Sequence, residues 1–160
     1  LHLRGDGPEA YRHHWLGLVP AAHRSNVFFH PTVSNAELPE RIAEHDIGLA
    51  LDVSRIPSRN LTITNKLFQY LQGGLALAAS DTAGHREVLR AAPGAGEIFP
   101  AEDATALGAL LRDLVADRPR VAAMKASARE AARTVFAHER QAATYAALAE
   151  AALRAPVSIS

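Results

Sequence analysis

The chain has 160 residues, no cysteine, and 17 basic against 17 acidic side chains. That length is enough for one domain with a proper core. Zero net charge argues against a nucleic-acid-binding module, which shows a basic excess. The lack of cysteine excludes a disulfide framework and thiolate metal sites and fits a reducing, cytoplasmic setting.

In chain order, Leu1 to Arg4 reads as a short strand ending at Gly5-Asp6-Gly7-Pro8. Pro8 suits the first turn of a helix running to about Leu18. Asn26 to His30 is a second strand, ended by Pro31. A helix starts between Asn35 and Pro39 with Leu38, Ile42 and Ala43 on one face. Asp46 to Leu51 is a third strand, nearly all apolar, as a strand buried on both faces should be. Asp52 to Arg59 reads as a polar loop. The next helix, from about Thr62 to Gln72, carries Ile63, Leu67 and Leu71 at helical spacing and stops at Gly73-Gly74. Leu75 to Ala79 is the fourth strand, Gly84 to Arg90 a short helix, and Glu97 to Phe99 a fifth strand. The rest is helical: Leu107, Leu110, Leu111, Leu114 and Val115 form an apolar stripe, Pro119 starts another helix, and an alanine-rich helix ends near Arg154. Residues 155 to 160 read as a frayed tail. Strands alternating with helices imply an α/β fold, a Rossmann-like parallel sheet with helices on both faces and a helical C-terminus. No stretch of the sequence reads as a signal peptide or a membrane-spanning helix. The chain opens inside a strand without methionine and is expected to be a piece of a longer protein.

In open α/β sheets, ligands bind beyond the carboxyl ends of the strands. Four loops lie there: 5–7, 31–34, 52–64 and 80–85. The third is the richest. Thr62, Thr64 and Asn65 stand where a helix begins, and Lys66 follows. A helix N-terminus offers unpaired N–H groups and the positive end of its dipole, and the lysine adds a full charge, a setting suited to a diphosphate. The same residues also cap helices for stability alone, so anion binding and plain capping both stay open. Ser80 to Glu87 repeats the pattern, with small residues that admit a ligand close to the backbone. The alternative there is an ordinary turn capped by Asp81, with Glu87 on the helix surface. Among eight histidines no pair stands at i, i+4 on one helix, so no metal site is expected. His85 alone lies in a ligand-facing turn. No serine sits in a nucleophile elbow, and Gly5-x-Gly7 lacks a third glycine in register.

Several stretches resemble, in order and spacing, the C-terminal half of a GT-B glycosyltransferase, most like glycosyltransferase family 4. Leu3-Arg-Gly-Asp-Gly-Pro8 resembles that family's strand ending in Gly-x-Gly. Asn26-Val-Phe-Phe-His-Pro-Thr-Val33 resembles its "nV-x-F-x-G-x-V" strand, and residues 38 to 51 the helix and "aDi-x-l" strand that follow. Asn65-Lys-Leu-Phe-Gln-Tyr-Leu-Gln-Gly-Gly-Leu-Ala-Leu-Ala78 resembles "NKlfEYlaaGlPvi". Ser80-Asp-Thr-Ala-Gly-His-Arg-Glu87 resembles "Sd-x-gG-x-x-E", and Phe136-Ala-His-Glu139 the "f-s-W-e" before the last helix.

The resemblance implies a nucleotide-sugar-binding Rossmann-like domain over residues 1 to 155, lacking its first strand and the basic segment the family carries there. It implies that the Thr64, Asn65 and Lys66 amides face a donor diphosphate. Gln69 takes the slot of the carboxylate that grips the ribose hydroxyls. Gly5, Thr62, Gly84, His85 and Glu87 join the same donor site. It implies no cofactor and no metal, with a nucleotide sugar as donor substrate and an acceptor-binding N-terminal half of the same protein as partner. The parent is expected to associate peripherally with a membrane, and the isolated piece to be inactive. Two departures stand out: Leu61 and Gln69 occupy the places of the family's Glu-x7-Glu pair. Two alternatives remain, a nucleotide-sugar 2-epimerase of the same fold and a degenerate, non-catalytic half used for binding or assembly.

Overall fold

The computed structural model describes residues 1–154. The tail expected from Ala155 lies outside them. The chain forms two compact units, Leu1–Leu38 and Pro39 onward.

In the first unit, β1 (His2–Arg4) pairs in parallel with β2 (Phe28–His30), with His2 opposite Phe28 and Arg4 opposite His30. Between them run α1 (Glu9–Gly17) and a 3₁₀ turn at Ala21–Asn26 that the sequence reading did not anticipate. Asp6 closes the end of the ladder. It accepts from the Thr32 amide at 3.2 Å and from the Thr32 hydroxyl, and these bonds hold its carboxyl below the usual carboxylate range. His2 and His30 stack with their rings 5° from parallel, and His2 Nδ1 lies 2.9 Å from His30 Nε2.

The second unit is built on a parallel sheet ordered β3-β4-β5: Ile47–Ala50, Ala76–Ser80 and Gly96–Phe99. β4 is central and buried at every residue, which is why it reads as an unbroken apolar run. Successive strand side chains point to opposite faces. Leu77 and Ala79 pack with Leu67 and Leu71 of α4 (Asn65–Gly73), Val88 of α5 (Ala83–Ala91) and Ala128 of α7 (Arg118–Thr134). Ala76 packs the other way, with Leu114 of α6 (Ala104–Ala116) and Val121 and Met124 of α7. Val115, expected in the α6 stripe, is exposed, because it sits one residue past Leu114 and so turns off the buried face. α2 (Leu38–Ala43) precedes β3, and α8 (His138–Arg154) ends the described chain.

α4 ends as its sequence predicts. Gly74 takes the left-handed conformation (φ 67°, ψ 40°), and Leu75 N–H returns to Tyr70 O at 2.9 Å. Its start differs. Residues 57–61, read as loop, form a one-turn helix, α3, with Pro57 in its first turn. Thr62 belongs to the end of α3: its hydroxyl donates to Ser58 O at 2.6 Å. α4 therefore begins at Asn65, three residues later than expected.

Candidate functional site

The carboxyl ends of β3 and β4 meet in a buried polar cluster. The buried polar residues among those described, Ser80, Thr82 and His85, all fall within six positions. Polar groups that deep are held by hydrogen bonds or cost stability. Ser80 Oγ accepts from the Asp52 amide and donates to the Asp52 carbonyl, both at 2.8 Å, which ties the loop after β3 to the end of β4. His85 Nδ1 lies 2.8 Å from the Ser80 carbonyl. A carbonyl only accepts, so Nδ1 carries the proton. The other ring nitrogen, Nε2, is buried without a hydrogen bond and faces Asp52 Oδ2 at 3.4 Å. Arg59 Nη1 approaches the second Asp52 oxygen at 3.5 Å.

The N-terminus of α5 is closed by the protein itself. Thr82, rather than Asp81, is the cap: its hydroxyl accepts from His85 N–H at 3.2 Å. Asp81 instead forms an ion pair with Arg86. Asn60 Oδ1 accepts from Ala83 N–H at 3.0 Å. At Gly84 a Cβ would stand 2.4 Å from the Thr62 carbonyl oxygen, so only glycine lets α5 rest on the 62–63 backbone.

The N-terminus of α4 is left open. Thr64 sits in the cap position with extended backbone (φ −79°, ψ 145°), yet its side chain makes no capping bond. Its hydroxyl oxygen is buried and has no hydrogen-bond partner among the described residues. Asn65 and Lys66 are exposed in the first turn, and half-buried Gln69 lies one turn below Asn65 on the same face. Two of the orphan amides that start a helix, those of Asn65 and Lys66, thus sit beside a hydroxyl that no described residue uses.

The sequence-predicted residues therefore divide. Thr64, Asn65, Lys66 and Gln69 share one helix end. Thr62 and Gly84 touch each other beneath it, Thr62 with its hydroxyl already committed and Gly84 in a packing role. His85 turns its ring inward, with Nδ1 held by the Ser80 carbonyl. Glu87 is exposed on α5. Gly5 belongs to the first unit, at the carboxyl end of β1 (φ 150°), and its N–H donates to His30 O at 3.0 Å. Sequence reasoning missed Asn60 and Asp52. Both act on residues more than 20 positions away, and the only signal was their place in the long loop after β3. It also missed a cavity of about 250 Å³ beside Asp52 and Ser80. Among the described residues, no group of three or more His, Cys, Asp or Glu stands close enough to hold a metal ion, and no helix is long and apolar enough to cross a membrane.

The parallel α/β architecture, helices on both faces and polar loops at the strand ends are those of one half of a GT-B glycosyltransferase. Residues 1–150 match the family described as "Glycosyl transferase-like", and the chain belongs to that family. Its fold is similar to that of sucrose-phosphate synthase from Thermosynechococcus elongatus, with a TM-score of 0.78 at 20% identity over 97% of this chain. It is also similar to WaaG, a glycosyltransferase involved in lipopolysaccharide biosynthesis, with a TM-score of 0.59 at 22% identity over 83% of this chain. The chain spans 39% and 33% of those two proteins. No curated protein matches it.

Proposed function

We propose that the second unit binds the diphosphate of a nucleotide-sugar donor at the N-terminus of α4, within a glycosyltransferase whose acceptor side lies elsewhere in the polypeptide. One observation carries this reading: the buried, unpartnered Thr64 hydroxyl beside the open amides of Asn65 and Lys66. A diphosphate oxygen would accept from all three, and the α4 dipole and the Lys66 ammonium would favour its charge. During transfer the same donors would stabilise the departing nucleoside diphosphate as negative charge builds on it. Gln69, one turn further along the helix, offers hydrogen bonds but no charge to a ribose. The match to glycosyltransferase family 4 in particular is part of the proposal.

Titration calorimetry with uridine and guanosine diphosphates tests it. Binding by at least one, weakened about tenfold in Thr64→Val, is expected. Failure of both to bind would end the reading and favour a non-catalytic half. One observation supports that second reading: position 61, where the resembling family carries a glutamate, is a leucine that is 70% exposed.

A further inference from the structure

The first turn of α4 stands at the end of a long loop, so its position depends on what holds that loop. The loop leaves β3 at Asp52, where Ser80 pins it. It then winds through α3, a helix of five residues with no buried side chain. A helix that short does not persist on propensity alone, and without an apolar face to bury it needs another anchor. Pro57, Ser58, Arg59 and Leu61 are exposed. Asn60 is the one residue of α3 that is not, and its Oδ1 accepts from the Ala83 amide at 3.0 Å. That N–H is one that a helix start leaves without an internal partner, so a single bond satisfies α5 and holds α3.

Other contacts of the loop hold it differently. The Thr62 carbonyl rests over Gly84, and half-buried Ile63 packs on the core. Such contacts set how closely the loop approaches α5, whereas a hydrogen bond also sets its direction. Arg55 Nε reaches Glu102 at 2.8 Å, but both side chains are exposed, and pairs of that kind hold weakly. Thr64 follows Asn60 by four residues. Its hydroxyl and the amides of Asn65 and Lys66 serve one ligand only while they keep their mutual arrangement, and such groups tolerate displacements of about 0.5 Å.

We propose that Asn60 is a positioning residue for the α4 helix end. By accepting from the Ala83 amide it fixes the residues that lead into Thr64, and with them the alignment of the Thr64 hydroxyl and the Asn65 and Lys66 amides. It acts through its carbonyl oxygen and touches no ligand. The effect on binding rests on the diphosphate reading above, and the hold on the helix end is measured without any ligand.

The test compares the whole chain with Asn60→Ala, Asn60→Asp and Asp117→Ala. The last removes the α7 cap, far along the chain from the loop, and serves as a control of similar stability cost. Melting curves should show all three folded, with both alanine variants about 3 °C lower. ¹⁵N-amide spectra without ligand come next. The Thr64, Asn65 and Lys66 peaks should move in Asn60→Ala and stay in place in Asp117→Ala. In Asn60→Asp, which keeps the Oδ1 acceptor, they should return toward their original positions. In the unaltered chain the Ala83 amide should be protected from solvent exchange. Titration calorimetry with uridine and guanosine diphosphates should then show about tenfold weaker binding in Asn60→Ala, as for one lost hydrogen bond to a charged group, and none of that loss in Asp117→Ala. An unprotected Ala83 amide, helix-end peaks that hold still in Asn60→Ala, or equal movement in Asp117→Ala would overturn the proposal. So would peaks that Asn60→Asp fails to restore. Undiminished diphosphate binding by folded Asn60→Ala would overturn it as well and leave the diphosphate reading intact. If the unaltered chain binds neither diphosphate while Asn60→Ala still moves the peaks, that reading falls and the hold of Asn60 on the helix end stands.

Discussion

Helices α4 and α5 both start beyond the carboxyl end of the same sheet, and both start on a threonine in extended backbone, Thr64 and Thr82. Thr82 is fully buried and uses its hydroxyl to cap its own helix, while Asn60 covers the next amide. Thr64 has the same hydroxyl in the same position and leaves it without a partner. Capping is therefore within reach of both helices, and only one does it. A helix end closed by its own side chains is a structural joint; one that keeps a buried donor and its amides open is suited to a ligand. α6 and α7 side with α5: Asp103 and Asp117 each accept from an amide three residues on, at 2.9 Å.

The largest effect expected from breaking this contrast is at the closed end. Gly84→Ala forces a methyl group onto the Thr62 carbonyl, and backbone on both sides leaves little room to relax. A loss of about 3 kcal/mol in urea-unfolding stability is expected, at the upper end of what overpacking costs. A loss below about 1 kcal/mol would show that α5 can lift off residues 62–63 freely.

At the open end, Thr64→Val should part function from stability. The swap removes a buried hydroxyl that makes no bond, so the melting temperature should hold or rise. Diphosphate affinity should fall by about 1.5 kcal/mol, close to tenfold, because a hydrogen bond to a charged group is lost. A variant that melts lower and binds as before would reverse the roles given to the two threonines. Thr82→Ala is its counterpart. It should cost roughly 1 kcal/mol of stability through the lost cap, measured by the same unfolding curves, and should spare diphosphate affinity.

The smallest effect lies at the other end of the sheet. Asp46, just before β3, accepts from Lys125 Nζ at 2.7 Å, and that bond holds its carboxyl below the usual range. A carboxylate with a lowered folded-state pKa adds stability above its unfolded pKa and loses it as pH falls through the folded one. Asp46 is more than half exposed, so solvent screens the pair and roughly 0.5 kcal/mol is at stake. Asp46→Asn should flatten the fall of stability below about pH 4 by that amount, in melts across an acid series. An unchanged slope would mean that Lys125 gives Asp46 no net support.

Much of this was legible in the sequence. The unbroken apolar run of β4 and the Gly73-Gly74 stop named the central strand and the end of α4, because each follows from local backbone rules. Two local rules misled. Asp81 looked like the α5 cap, but Arg86 takes its carboxylate, and Thr82, one residue later, points its hydroxyl at the helix. Pro57 looked like a loop residue but opens α3, which moved Thr62 from the start of one helix to the end of another.

By itself the sequence determined the five strands, the longer helices between them and where α4 stops, since periodicity and helix-ending glycines act over a few residues. The tertiary structure alone decided which polar atoms would be used up. Asn60 reaches Ala83, Ser80 reaches Asp52, and His85 turns inward to Ser80 and Asp52, all through contacts that fold-back creates. Those long-range partners cannot be read from a window of a few residues.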